Sequence, residues 1–247
     1  MNPAQQDRYA RHIRLPQIGE KGQQAILDAS ALIVGVGGLG SPAAMYLAAA
    51  GIGKIILSDY DVVETSNLQR QIIHNDSSVG ENKVDSGRQT VKALNPDCEV
   101  DVIGYQLDGK ELKQAIDSVD IVLDCSDNYP TRFEVNRYCV ETATRLVTGA
   151  AIRLEGQIMN YQPEANSACY QCLYSHAYGA EESCELEGVL GPVVGVIGTL
   201  QAVQTLLILA GQGEGLVNRL LLFDAFAMEW QSVTLPKNPK CPICSKS

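Results

Sequence analysis

The chain has 247 residues, 45% of them hydrophobic and 19% charged, which is long enough to bury a full core and too apolar for a disordered chain. Nineteen Lys and Arg stand against 29 Asp and Glu, a formal net charge of -10, and this excludes nucleic acid as the main partner, because phosphate backbones are gripped by clustered cations. A small phosphate ligand, which needs only local positive charge, stays open.

The N-terminus lacks the apolar core of a signal peptide, and residues 4–29 read as helical. Arg8, Arg11 and Arg14 recur every three residues and fall on one helix face, where the plain reading is a solvated stripe. The rest of the chain is organised around the stretch Ala31–Asp61. An apolar run, Ala31–Val36, enters the turn Gly35-Val36-Gly37-Gly38-Leu39-Gly40; an alanine-rich helix and a second apolar run, Ile55-Ile56-Leu57, lead to Asp59. This strand–turn–helix–strand pattern puts glycines where a backbone approaches a phosphate and a helix packs on a strand; a merely tight turn is the alternative. The helix start adds unpaired N–H groups and a positive dipole end suited to an anion. Asp59, about twenty residues past Gly40, sits where an acid commonly binds a ribose hydroxyl.

A loop, Tyr60–Val79, then carries Asn67-Leu68-Gln69-Arg70-Gln71, and a helix Glu81–Leu94 ends at Asn95-Pro96. A strand Glu99–Tyr105, a helix Lys110–Ser118 and the apolar run Ile121–Asp124 come next, the last leading into Cys125-Ser126-Asp127-Asn128. Pro130 opens a helix Thr131–Thr142, and Arg145–Thr148 reads as a further strand. Past Gly149 the pattern changes to strands at Gly156–Gln162 and Leu220–Leu235, the latter a hairpin bent near Asp224-Ala225. The apolar region Val189–Ala210, interrupted by Pro192, Gln201 and Gln204, reads as a buried segment with a helix at 193–210 rather than a membrane span. The expected fold class is α/β: a doubly wound, Rossmann-like, mainly parallel sheet extended by antiparallel C-terminal strands, with ligands at the carboxyl ends of the parallel strands. Residues 1–247 form one domain in this reading, with N-terminal helices at 1–30, a nucleotide-binding half at 31–150 and a second half at 151–247.

Two CxxC pairs, Cys169/Cys172 and Cys241/Cys244, supply four thiolates, the ligand set of a closed tetrahedral zinc site. Their long separation means that the metal would staple a distant segment to the body; either pair alone could instead be a redox dithiol. With no export signal, eight cysteines point to a reducing cytoplasm. Asp59, Asn67, Arg70, Lys83 and Asp127 fall at loops or element ends following the strands. A nicotinamide-dependent oxidoreductase would use the same glycine loop but has no need of this charged set. Arg and Lys suit negative charge developing on a phosphoryl group, and an Asp suits Mg²⁺. Cys184 belongs to neither pair; a nucleophilic role competes with its neighbours Glu181, Glu182, Glu185 and Glu187, which would raise a thiol pKa. Cys98, Cys125 and Cys139 lie in or beside apolar elements and read as buried and inert.

Together these residues resemble the bacterial relatives of ubiquitin-activating enzymes, the ThiF/MoeB/HesA family of adenylyltransferases that activate sulfur-carrier proteins. The motifs that carry the resemblance are Arg8-Tyr9-Ala10-Arg11, Gly35–Gly40, Asp59-Tyr60-Asp61, Ser66–Gln71, Lys83, Asp124–Asn128 and the two CxxC pairs. Residues 149–157 look like the molybdopterin-synthase type and residues 191–196 like the thiazole-pathway type, while His12 and Asn82 depart from the usual pattern. The resemblance implies adenylation of the C-terminal glycine carboxylate of a ubiquitin-like carrier ending in Gly-Gly, ahead of thiocarboxylate formation, in molybdenum cofactor or thiamine biosynthesis. It implies ATP, Mg²⁺ and Zn²⁺; an ATP site of Gly38, Asp59, Ser66, Asn67, Leu68, Gln69, Arg70, Lys83, Asp127 and Asn128; and catalytic roles for Arg70, Lys83 and Asp127, the last on Mg²⁺. It further implies a homodimer in which Arg11 reaches the partner's ATP, a covalent use of Cys184 in some relatives, carrier binding by the 151–247 half, and a sulfur donor such as a cysteine desulfurase or rhodanese-type protein.

Overall fold

The computed structural model describes residues 1–163, 166–174, 187–213 and 215–245. Five parallel strands, β1 (Ser30–Val34), β2 (Lys54–Ser58), β3 (Glu99–Ile103), β4 (Ile121–Asp124) and β5 (Arg145–Ile152), lie in the order β3-β2-β1-β4-β5. The sheet continues through β6 (Glu155–Tyr161), β7 (Arg219–Asp224) and β8 (Glu229–Thr234), all antiparallel. The strands fit the expected α/β class, with β5 running on to Ile152 before the chain reverses.

The two faces follow from the pleat, which sends successive side chains to opposite sides. Ala31, Ile33, Ile55, Leu57, Ile121, Leu123 and Val147 share one core. They meet α4 (Gly40–Ala50), α5 (Lys83–Leu94) and α9 (Gly191–Leu209) through Ala43, Leu47, Val84, Val91, Val194 and Ile197. The alternate residues Leu32, Val34, Ile56, Val122 and Leu146 face α6 (Gly109–Asp117) and α7 (Tyr129–Thr142), meeting Leu112, Ile116, Val135 and Cys139. Strands buried on both faces explain the nearly continuous apolar runs of the first half. Helix α9 is long and apolar enough to cross a membrane by composition alone, yet its Val193, Val194, Ile197, Ala202 and Ile208 are buried on the sheet and α4.

The N-terminal segment, read as helical over 4–29, is broken into three helices. It forms α1 (Pro3–Arg8), α2 (Ala10–Ile13) and α3 (Gly19–Asp28), so the three arginines do not form one continuous stripe. The break comes at Tyr9, whose ring is buried against Gly51 and whose hydroxyl accepts from Asn95 Nδ2 at 3.1 Å. Burying one aromatic ring outweighs the continuity of a short helix. Arg8 donates to the Leu94 carbonyl at 2.8 Å, while Arg11 and Arg14 are exposed.

Candidate active site

The carboxyl ends of β1, β2 and β4 open on a cavity of about 1170 Å³. Its inner end is lined by Gly35, Gly37, Gly38, Asp59, Arg70, Lys83, Asp127 and Asn128, and its outer end by Glu155, Gln157, Asp224 and Gln231 of the antiparallel strands. The loop after β1 turns on Gly35, at φ +94, a conformation glycine adopts at no steric cost. Gly38 is required for packing as well: a Cβ there would stand 2.8 Å from Val194 Cγ2 of α9. The half-buried Asp59 carboxylate accepts from Val36 N at 2.8 Å and Asp61 N at 2.9 Å, tying the end of β2 to the glycine loop. Burial raises its pKa, and the Lys83 ammonium opposes that shift.

Lys83, at the start of α5, is 6% exposed and donates to Asp61 Oδ2 at 2.7 Å. Arg70 is half-buried and braced by the Ser66 carbonyl at 3.1 Å. Ser66, Asn67, Leu68 and Gln69 do not line the cavity; they build the 3₁₀ turn Thr65–Asn67 and its exit, with Asn67 Oδ1 accepting from Glu64 N. Beneath the glycine loop, buried His74 spans Val36 O at 3.1 Å and the Ser86 hydroxyl at 2.9 Å. Asp127 and Asn128 stand exposed on the turn after β4, and Asn128 caps α7 by accepting from Thr131 N at 3.0 Å. Arg11 lines no part of this cavity, and Cys184 lies outside the described residues. Three residues with a direct place here fall outside the expected site set: Asp61, of the Asp59-Tyr60-Asp61 motif, on Lys83, and behind Asp127 the buried pair Asp124, of the Asp124–Asn128 motif, and Arg132, which carries no sequence signal. Cys98, Cys125 and Cys139 are buried, and desolvation raises each thiol, Cys98 to about 11.

The four cysteines of the CxxC pairs converge, their sulfurs all within 4.8 Å of one another. Cys169 and Cys241 are 3.7 Å apart, Cys172 and Cys244 3.4 Å. A disulfide would be about 2.05 Å, whereas a tetrahedral ion with bonds of about 2.3 Å spaces its sulfurs by about 3.8 Å. Desolvation pushes the Cys169 thiol well up, so a divalent cation is the natural means of holding thiolates there. Asn136 supports the cluster, donating to Cys169 Sγ at 3.6 Å and accepting from Tyr170 N at 2.8 Å. The geometry fits zinc. Directly after Cys169 the chain forms the short α8 (Tyr170–Leu173), which carries Cys172 and whose Tyr170 ring packs on Phe133 and Tyr174 and forms part of the cavity wall.

The ThiF family model matches residues 9–243. The sulfur carrier protein ThiS adenylyltransferase of Escherichia coli K12 is 42% identical over 247 residues, covering all of this chain and 98% of the relative. Molybdopterin-synthase adenylyltransferase of the same organism is 41% identical, covering 97% of this chain and 96% of the relative. The SAMP-activating enzyme E1 of Haloferax volcanii is 40% identical, covering all of this chain and 91% of the relative. Among solved structures, E. coli MccB with MccA-N7isoASN superposes with a TM-score of 0.85 over 97% of this chain and 74% of that one, at 24% identity, a likeness of fold.

Proposed function

Because the chain belongs to the ThiF family, we propose that it adenylates the C-terminal carboxylate of a small ubiquitin-like sulfur-carrier protein ending in Gly-Gly. A carboxylate oxygen of the carrier bonds to the α-phosphorus of ATP, the bond from that phosphorus to the bridging oxygen breaks, and pyrophosphate leaves. The acyl-adenylate is then open to sulfur transfer, with a cysteine desulfurase or rhodanese-type protein as donor. The observation that carries this reading is the convergence of the glycine loop, Arg70, Lys83 and Asp127 on one cavity.

A carboxylate is a weak nucleophile, so the work of the site is positioning and charge neutralisation. Gly38 lets the loop backbone approach the phosphates, Asp59 receives the ribose, and Arg70 and Lys83 face phosphate oxygens. Lys83 exchanges its Asp61 partner for phosphate when the nucleotide enters. Asp127 is the carboxylate suited to the magnesium ion of Mg-ATP, which neutralises phosphate charge when bound. At about 1170 Å³ the cavity exceeds the usual ~300–1,000 Å³ of small-molecule sites. The surplus, at the β6–β8 end, accommodates an extended polypeptide tail. Arg11, which does not line its own cavity, serves the partner's site in a homodimer, and the four cysteines hold one structural zinc. The halves of the single domain divide these roles, with residues 31–150 taking the nucleotide and 151–247 the carrier, and we place the protein in the cytoplasm.

The molybdenum-cofactor carrier is the first candidate and the thiazole carrier the second, on residues 149–157 and 191–196 respectively; relatives at 41% and 42% identity do not separate them. The test is exchange of labelled pyrophosphate into ATP in the presence of each carrier, with the carrier weighed for its adenylate. Exchange with one carrier assigns the pathway. ADP and phosphate as the products would mean attack at the γ-phosphate and overturn the reading.

A further inference from the structure

Arg132 is the most unexpected charge in the fold. It stands on the buried face of α7 beside Val135, Asn136, Cys139 and Val140, with 6% exposure, 3.8 Å from the almost fully buried Asp124. An ion pair this deep is a weak source of stability, since desolvation offsets its attraction and an apolar pair of similar volume serves a core as well. Its use lies in the hydrogen bonds that the two ions send elsewhere. Asp124 accepts from the backbone N–H of Ser126 at 3.1 Å, the Ser126 hydroxyl at 2.6 Å and the Thr148 hydroxyl at 2.9 Å. Arg132 donates through Nη2 to the Ser126 carbonyl and through Nη1 to the Gly149 carbonyl at 2.6 Å.

Ser126 is therefore gripped at its N–H, its hydroxyl and its carbonyl. That carbonyl belongs to the peptide leading into Asp127. Among the described residues the Asp127 carboxylate accepts one side-chain bond, a long one of 3.3 Å from Asn128 Nδ2. Its direction is thus set by the peptide that Arg132 holds. On the other face of the sheet, Gln201 Nε2 donates to Asp124 O at 2.8 Å and Val147 O at 3.2 Å, so the end of β4 and the middle of β5 beside it are held from both sides.

We infer that Arg132 is a positioning residue for the adenylation site, its forked guanidinium fixing the Ser126–Asp127 peptide and thereby aiming the Asp127 carboxylate. The role rests on the adenylation reading above. A lysine presents one compact charge and cannot reach both carbonyls, so the fork itself is required.

The test is a double-mutant cycle on single-turnover adenylation: Arg132→Met and Arg132→Lys, each alone and with Asp127→Ala, alongside hydrogen exchange of the intact protein. Arg132→Met should slow adenylation about 100-fold in the native background, as a misplacement of about 1 Å does. Arg132→Lys should not restore it. In the Asp127→Ala background the same substitution should change the rate by no more than about 2-fold, the scatter of independent sites. Exchange should quicken in the peptide spanning 125–129 and stay unchanged in β1. Equal losses in both backgrounds, full rescue by lysine, or exchange quickening throughout the sheet would reduce Arg132 to a support of the fold. If Arg132→Met does not fold, the charge-neutral pair Asp124→Asn with Arg132→Met carries the same cycle. Native protein that adenylates no carrier would overturn the reaction itself, an outcome separate from failure of the cycle.

Discussion

Removing the two later cysteines, in the variant Cys241→Ala with Cys244→Ala, should lower stability by an amount set by the loop that the proposed zinc would close. Cys169 and Cys241 are 72 positions apart, as are Cys172 and Cys244. In chain-entropy terms a cross-link over a loop of that length restricts the unfolded chain by about 4.4 kcal/mol. With an unfolding entropy of about 2.1 cal/mol/K per residue over 247 residues, losing that restriction lowers the melting temperature by about 8–9 °C. The loss extends into the cavity, because Tyr170 lies between two of the sulfur ligands and its ring contacts Phe133 and Tyr174. Adenylation measured well below the melting point should therefore fall as well. Elemental analysis should return about one zinc per protomer for the native protein, the capacity of a single four-thiolate set, and none for the variant. Calorimetry supplies the melting temperatures. A shift below about 2 °C, worth only about 1 kcal/mol in a protein of this size, or a native preparation free of metal with unchanged melting, would refute the staple.

Lys83→Ala and Asp127→Ala should each slow carrier-dependent pyrophosphate exchange by about 100-fold, as loss of one group aimed at developing charge commonly does; rates within a few-fold of native would remove either residue from the chemistry. Mixing Arg11→Ala with Asp127→Ala subunits should regenerate one working site per heterodimer, at most half of native activity, and no recovery despite proven subunit exchange would exclude action across the interface. Burial lowers the pKa of His74, so the unfolded chain takes up its proton more readily than the folded one. Its contribution is complete above the unfolded value of about 6.5 and is lost as pH falls through that value toward the lower folded one. His74→Gln, which keeps a donor for Val36 O, should flatten the decline of the urea midpoint below pH 6.5, and parallel declines would show that His74 does not drive it.

The parallel half of the fold is legible because strands buried on two faces leave unbroken apolar runs, and glycine and proline mark where they stop. The cysteine cluster is legible because CxxC fixes the bite of a pair, though nothing in the spacing says that two pairs so far apart meet. The break at Tyr9 is not legible: its cause is a ring fitting against Gly51 and Asn95, positions remote in the chain. The same holds for the inner wall of the cavity. Arg132 reads as one more charge on a helix, and Gln201 as an interruption in an apolar one. Only the sheet shows that both meet the end of β4 and the stretch of β5 beside it. Asp61 stands within a motif read from the sequence, but its hold on Lys83 depends on how the loop after β2 turns.

The spacing of the cysteines also has a consequence for the order of events during synthesis. Each residue of the second pair leaves the ribosome 72 residues after its counterpart in the first. At about 5–20 residues per second that is a delay of roughly 4–14 s. Through that interval Cys169 and Cys172 would be half of the proposed metal site, open to a passing copper ion or to oxidation. The proposed clasp can therefore be completed only after β8, which precedes Cys241, has been made. The nascent chain's exposure to the wrong metal is set by translation speed, so slowing elongation between the two pairs should raise the fraction of mismetallated protein.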